Sequence, residues 1–391
     1  MESDINVRES WVDWMRTAAC LMVMTIHSVE PFYIGGDGAL VLTRTDAFWC
    51  AFFDSFVRMC VPLFVIASSY LQFPVRYPTG EFLRRRAERL LVPFVLWSLV
   101  YALALGSPVN NLRDLLLNFN YDAGHLWFVY MLIGLYIIMP LLSPWAVKVG
   151  KRELQVYIAI WLFTTLIPFF RDWFSGGEMT VISGVSGIPM QAQYPLWGEA
   201  SWNAFGMFYY ISGFVGYMLV GLYIRKFASG WDRTRTLMVA IACCVTGFAI
   251  TSGGFIRRVL SSSGGFFPIS GTETLSVGWE TTWNYCSIGV ALMAVGWVLV
   301  FRNINRTGQF YRKVVLPLSK AGYGMYLCHM LFLAAFSSLF RRVLGIGMDG
   351  LIGIWTTPVE ILLTVMCSFV CVGSFSVLLQ RIPVVGKYII G

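Results

Sequence analysis

Charge and histidine are both scarce in this chain. Of 391 residues only 13% are Asp, Glu, Lys or Arg, while 57% are hydrophobic. A soluble domain carries about twice that share of charge. The shortage therefore excludes an ordinary soluble fold and predicts an integral membrane protein. CxxC spacing is also missing, which removes thiol metal and redox motifs. The nine cysteines, Cys20, Cys50, Cys60, Cys243, Cys244, Cys286, Cys328, Cys367 and Cys371, all sit in or beside apolar runs and read as small buried hydrophobes. No cleavable leader is expected. The first apolar segment carries Asp13 and Arg16, and no small-residue cleavage site follows it.

What the chain has in abundance is long apolar runs. Ten are candidate spans, at 11–30, 48–72, 88–106, 125–146, 154–170, 204–224, 236–252, 283–301, 321–340 and 358–380. The predicted fold class is all-α: a bundle of about ten transmembrane helices forming a single transmembrane domain over 1–391. The net charge of +8 is distributed unevenly. Loops alternating from the N-terminus hold 20 Lys and Arg, and the opposite loops hold 7. That bias predicts both termini in the cytoplasm and speaks against nucleic acid as a partner. Two connections on the other side, about 171–203 and 253–282, are rich in Gly, Ser and aromatic residues. They read equally as a sugar-binding surface or as an interfacial aromatic belt.

The three histidines all fall within or at the rim of apolar runs: His27, His125 and His329. An imidazole is costly to bury in lipid, so each is a functional candidate by default. Arg16 and His27 lie on one predicted helix, eleven residues apart. At about 100° per residue they share a face, roughly 16 Å apart along the axis. Asp13 and Arg16 at one end and His27 at the other read as the wall of a buried polar path. Glu30, one turn beyond His27, could orient its ring as a carboxylate does in a triad, or simply face water. Asp54 and Arg58, four apart, are spaced to pair within the membrane. Arg84, Arg85, Arg86 and Arg89 form a basic cluster at one helix mouth. Such forks suit phosphates, and equally suit lipid headgroups and topology. Ser68 and Ser69 have no base adjacent in sequence and read as interhelical hydrogen-bonders.

These pieces fall in a pattern that resembles the acyltransferase-3 family of membrane O-acyltransferases. The first helix, W-V-D-W-M-R-T-A-A-C-L-M-V-M-T-I-H-S, carries the family's Arg-x10-His at Arg16 and His27. The run R-M-C-V-P-L-F-V-I-A-S-S-Y-L matches at Arg58, Pro62, Phe64, Ser68 and Tyr70. The Arg-x-x-Arg pattern stands at Arg86 and Arg89, H-L-W-F at His125 to Phe128, and Y-G-M-Y-L-C-H at Tyr323 to His329. Ser69 departs from the glycine usual there, and the fused extracytoplasmic hydrolase-like domain of some members is missing from the pattern. The likeness is strongest to inner-membrane O-acetyltransferases that modify surface polysaccharide such as enterobacterial common antigen.

The resemblance implies a donor, acetyl-CoA, entering from the cytoplasm, and a glycan hydroxyl as acceptor at the opposite face of a bacterial inner membrane. It implies His27 as general base or transient acyl carrier, with Arg16 and Glu30 beside it. Arg58, Arg84, Arg85, Arg86 and Arg89 become donor-binding candidates, and His125 and Trp127 acceptor-binding ones. Asp13, Asp54 and His329 are expected in a structural polar network, and no metal is expected. Membrane lipid is an implied partner and an oligomer is compatible. Two other classes fit the buried charges: a secondary transporter, and a scaffold or sensor that binds the donor without transfer. The transporter predicts related halves with interrupted helices, and no such internal repeat is visible.

Overall fold

A computed structural model of the protein describes residues 9–36, 38–104, 121–174, 197–198, 205–343, 356–383 and 385–391. Its helices are α1 (Ser10–Val29), α2 (Arg44–Val57), α3 (Cys60–Gln72), α4 (Thr79–Ala104), α5 (Trp127–Lys148), α6 (Lys151–Thr164), α7 (Ile167–Phe174), α8 (Val215–Phe227), α9 (Arg233–Ser263), α10 (Glu273–Trp279), α11 (Ile288–Arg302), α12 (Leu316–Val343), α13 (Thr356–Gln380) and α14 (Val385–Ile390). Three short strands, β1 (Ile34–Gly35), β2 (Gly38–Val41) and β3 (Ile269–Thr272), form one antiparallel sheet in that order. Most of the 175–203 connection lies outside the described residues.

Among the described residues seven helices are long and apolar enough to cross a membrane, or eight if Glu273–Trp283 and Ile288–Arg302, bent by 46°, make one span. The two remaining members of the ten predicted runs differ for physical reasons. The run at 204–224 is interrupted: a 3-10 turn (Gly206–Ile211) precedes α8, which has only 13 residues. The first run does form a 20-residue helix, α1, but Asp13, Arg16 and His27 make it too polar to face lipid. It is instead a central helix, packed against α2, α3, α11, α12 and α13. Its buried Asp13 is satisfied there by hydroxyls, accepting from Tyr311 at 2.7 Å and Ser319 at 2.6 Å.

Two features of the local sequence shape the walls. Pro62 has no N–H to donate to the carbonyl of Arg58, so the 48–72 run breaks at Arg58–Met59 and gives α2 and α3. Ser69 of α3 donates to the Met218 carbonyl at 2.6 Å and packs on Gly221, where an added Cβ would lie 2.8 Å from the Ser69 Cβ. The serine found in place of the expected glycine is therefore accommodated by a glycine on the facing helix, the small-on-small contact that lets membrane helices approach. Helix ends are capped by cations. Arg225 donates to the carbonyls of Tyr70 and Phe73, and Lys226 to those of Ala146 and Val149.

The sheet ties together two distant connections, with Gly38 opposite Thr272 and Val41 opposite Ile269. The 253–282 stretch is thus a correction to the sequence reading. Helix α9 runs on to Ser263, and the rest supplies β3 and α10 rather than an irregular loop.

Candidate active site

The three histidines, 98 and 204 positions apart in sequence, meet at one point. His27 stands near the end of α1, His125 in the 3-10 turn (Tyr121–Leu126) that leads into α5, and His329 in the middle of α12. Ring centroids are 5.2 Å apart for His27 and His329, 5.2 Å for His125 and His329, and 6.3 Å for His27 and His125. His329, expected in a structural polar network, is therefore part of the histidine cluster.

Hydrogen bonds set the tautomers. Glu30 Oε2 lies 2.8 Å from His27 Nδ1, so that nitrogen carries the proton and Nε2 presents a lone pair. The Tyr326 carbonyl lies 2.5 Å from His329 Nδ1 and sets the same tautomer. The Nε2 atoms of both His125 and His329 are buried with no partner among the described residues. Tyr326 also donates its hydroxyl to the His125 carbonyl, which links α12 to the 3-10 turn. Among the described residues no set of three or more His, Cys, Asp or Glu converges as metal ligands.

His27 and His125 line a chamber of about 20 Å³ with Trp127, Cys60, Tyr285 and Tyr326. That is room for one water-sized group. Trp127 and His125, expected to bind the acceptor, thus belong to the innermost chamber.

A second cavity of about 800 Å³ lies on the side of the chamber toward Arg16. Its lining includes Arg16 of α1, Arg86 and Arg89 of α4 and Lys320 of α12. Phe64, Phe128 and Tyr326 wall both this cavity and the chamber. Glu9 and Gly391 line it too, so the two described ends of the chain lie at the same end of the bundle. The basic cluster divides across α4. Arg86 and Arg89 face the cavity, whereas Arg84 lies 3.9 Å from Glu88, and Arg85 pairs with Glu81 and stacks 4.4 Å from the Tyr77 ring.

Arg58, a donor-binding candidate also spaced to pair with Asp54, forms that pair and does not line the cavity around Arg16. Its guanidinium meets Asp54 at 3.2 Å, Glu280 at 3.1 Å and the Trp283 carbonyl at 2.9 Å, and packs over the Trp283 and Tyr285 rings. Glu280 in turn accepts from Tyr33 at 2.6 Å. One buried cation therefore holds α2, α3 and the segment before α11 together beside the histidine chamber.

Residues 9–377 match the family model of acyltransferase-3, described as an acyltransferase domain. The chain belongs to the acyltransferase-3 family. No curated protein and no solved structure matches it. The membership supports an acyltransferase, and with its apolar helices the protein is a multi-pass membrane acyltransferase.

On the other side of His27 this acyltransferase has a third cavity, of about 1290 Å³. Glu30, Phe32, the backbone of Gly35, Gly36, Gly38 and Gly271, and the charged groups of Asp46, Arg341, Arg342 and Glu360 line it. Gly36 has φ +61°, a left-handed conformation that glycine adopts without strain. The His27–Glu30 pair thus bridges the chamber, which His27 lines, and this outer cavity, which Glu30 lines.

Sequence reasoning passed over several of these groups. Lys320, Tyr326, Glu280, Arg341 and Glu360 received no role. For Glu360 a signal was present, since it is the only charged residue of the 358–380 run. Tyr326 lay inside the quoted Y-G-M-Y-L-C-H match. Glu280 had no local signal, because its meaning depends on Arg58, 222 positions away.

Proposed function

We propose that this acyltransferase moves an acetyl group from acetyl-CoA to a hydroxyl of a cell-surface or periplasmic glycan, across a bacterial inner membrane. Enterobacterial-common-antigen-type polysaccharide is one acceptor of that class. The observation that carries the reading is the position of the His27–Glu30 pair. It stands between a cavity lined by Arg16, Arg86, Arg89 and Lys320 and an outer cavity of different chemistry.

Each part has a physical task. Several fixed guanidinium groups suit the phosphates of a CoA donor. The excess of Lys and Arg in alternating loops supports that end as the cytoplasmic one. From there the thioester reaches past Phe64, Phe128 and Tyr326 toward the histidines. His27 Nε2, its lone pair presented by the Nδ1–Glu30 bond, takes the proton of the acceptor hydroxyl. The alcohol oxygen then bonds to the acyl carbon, the C–S bond breaks, and CoA leaves as the thiol with that proton. In the covalent route His27 Nε2 itself attacks the thioester first and passes the acetyl group on. CoA release in the absence of any acceptor separates the two routes.

The deciding experiment measures O-acetyl groups on surface polysaccharide by mass spectrometry, with the protein present, absent, or carrying His27→Ala. General-base assistance is worth about 10²–10⁴ in rate, so acetylation should fall by that order in the variant while the protein still inserts and folds. Undiminished acetylation in a stably expressed His27→Ala protein would end the assignment. The transporter reading makes the opposite prediction: solute flux in proteoliposomes with no consumption of acetyl-CoA.

A further inference from the structure

The outer cavity contains an acid whose hydrogen bonding is incomplete. Glu360, near the start of α13, is 1% exposed and lines this cavity. Arg341 Nε donates to its Oε1 at 3.1 Å, while its Oε2 is buried and has no partner among the described residues. A buried carboxylate oxygen left unpaired is costly, and native structures seldom retain one without a use. Asp46, the other acid deep in the wall, shows the contrast. It accepts from Thr43 at 2.6 Å and also from Thr357, and both of its oxygens are engaged.

The surroundings of Glu360 select among ligands. An anion would meet Glu360 and Glu30 head on. A cation would compete with Arg341 and Arg342, which already supply positive charge at the same wall. A neutral hydroxyl donor conflicts with neither. The Phe32 ring offers an apolar face in the same cavity, with the Arg341 guanidinium 5.7 Å from its centroid. Side-chain-free backbone at Gly36, with open space around it, leaves a peptide group accessible to a polyhydroxyl ligand.

Building on the proposed glycan acetylation, we infer that this cavity is the acceptor-sugar subsite, in which one sugar hydroxyl donates to Glu360 Oε2. The apolar face of the ring rests on Phe32, and a second hydroxyl is thereby presented to the His27–Glu30 pair. Glu360 is a specificity residue here, and Arg341 positions it.

The test uses the full chain in nanodiscs, radiolabelled acetyl-CoA, and surface polysaccharide from cells lacking the protein, freed of esters by mild alkali. In Glu360→Gln the KM for this polysaccharide should rise about tenfold to a hundredfold, the weight of one hydrogen bond to a charged group. The KM for acetyl-CoA should stay within about twofold, as a second-site loss requires. A polysaccharide KM that does not move, or two KM values that rise together, would overturn the subsite. Phe32→Ala, a change in the cavity wall that breaks no ion pair, should raise the same polysaccharide KM alone, and it serves if Glu360→Gln does not fold. Wild-type protein that labels no polysaccharide defeats the enzyme reading itself. Active wild type with an indifferent Glu360 and Phe32 defeats only the subsite.

Discussion

The cavity around Arg16 and the cavity beyond Glu30 flank the histidine chamber and the His27–Glu30 pair, yet they are made of different material. The first, of about 800 Å³, draws Arg16, Arg86, Arg89 and Lys320 from three helices into one wall. The second, of about 1290 Å³, is floored by strand backbone and holds a neutralised Arg341–Glu360 pair with one carboxylate oxygen to spare. Concentrated positive charge suits a multiply anionic donor, whereas charges of both signs beside the apolar face of Phe32 suit a neutral, oriented ligand. On the proposed reading, donor and acceptor are sorted by electrostatics before any chemistry occurs. The histidine chamber between the cavities has room for one water-sized group, so on that reading only the reacting groups meet there.

The largest test removes the buried cation that holds the helices together beside the histidine chamber. Arg58→Met leaves Asp54, fully buried, and the half-buried Glu280 without their cation. Breaking a buried pair in this way costs about 3–5 kcal/mol. Thermal unfolding in detergent should show that loss, and activity toward both substrates should fall together. A variant as stable as wild type would mean that this network does not hold the packing beside the chamber.

Next in size is the donor side. Arg86→Ala and Arg89→Ala should each raise the KM for acetyl-CoA by about tenfold to a hundredfold, as loss of a charge-assisted contact does. The polysaccharide KM should not change. Arg84→Ala, on the opposite face of α4, should alter neither by more than about twofold. Equal effects from Arg84 and Arg86 in steady-state kinetics would erase the distinction drawn across that helix.

The smallest effect sharpens the scaffold. Gly221→Ala presses a methyl group onto Ser69 and should destabilise by about 1–3 kcal/mol. The double change Gly221→Ala with Ser69→Gly should recover only part of it in the same unfolding assay, because the methyl group still meets the Ile66 carbonyl at 2.9 Å. No recovery would show that the contact does not set the α3–α8 approach.

Much of the architecture was readable in one dimension. Apolar runs of membrane length announced the helices, because each span must bury its own backbone hydrogen bonds. The break near Arg58 was not read, although Pro62 dictates it, and neither was the helix over 253–263. The split of the arginine cluster follows from helical phase but depends on which face of α4 turns inward. His329 looked structural because nothing in its own segment shows its neighbours.

By itself the sequence determined the helical, lipid-facing character of the protein, its family, and the shared face of Arg16 and His27, all of which are local or periodic properties. Only the tertiary structure decided that three histidines meet, that Glu280 answers Arg58, and that Glu360 faces a cavity with an oxygen unpaired. Those facts depend on how helices far apart in the chain are rotated and packed against one another, and helix periodicity is silent about the rotation of one helix relative to the next.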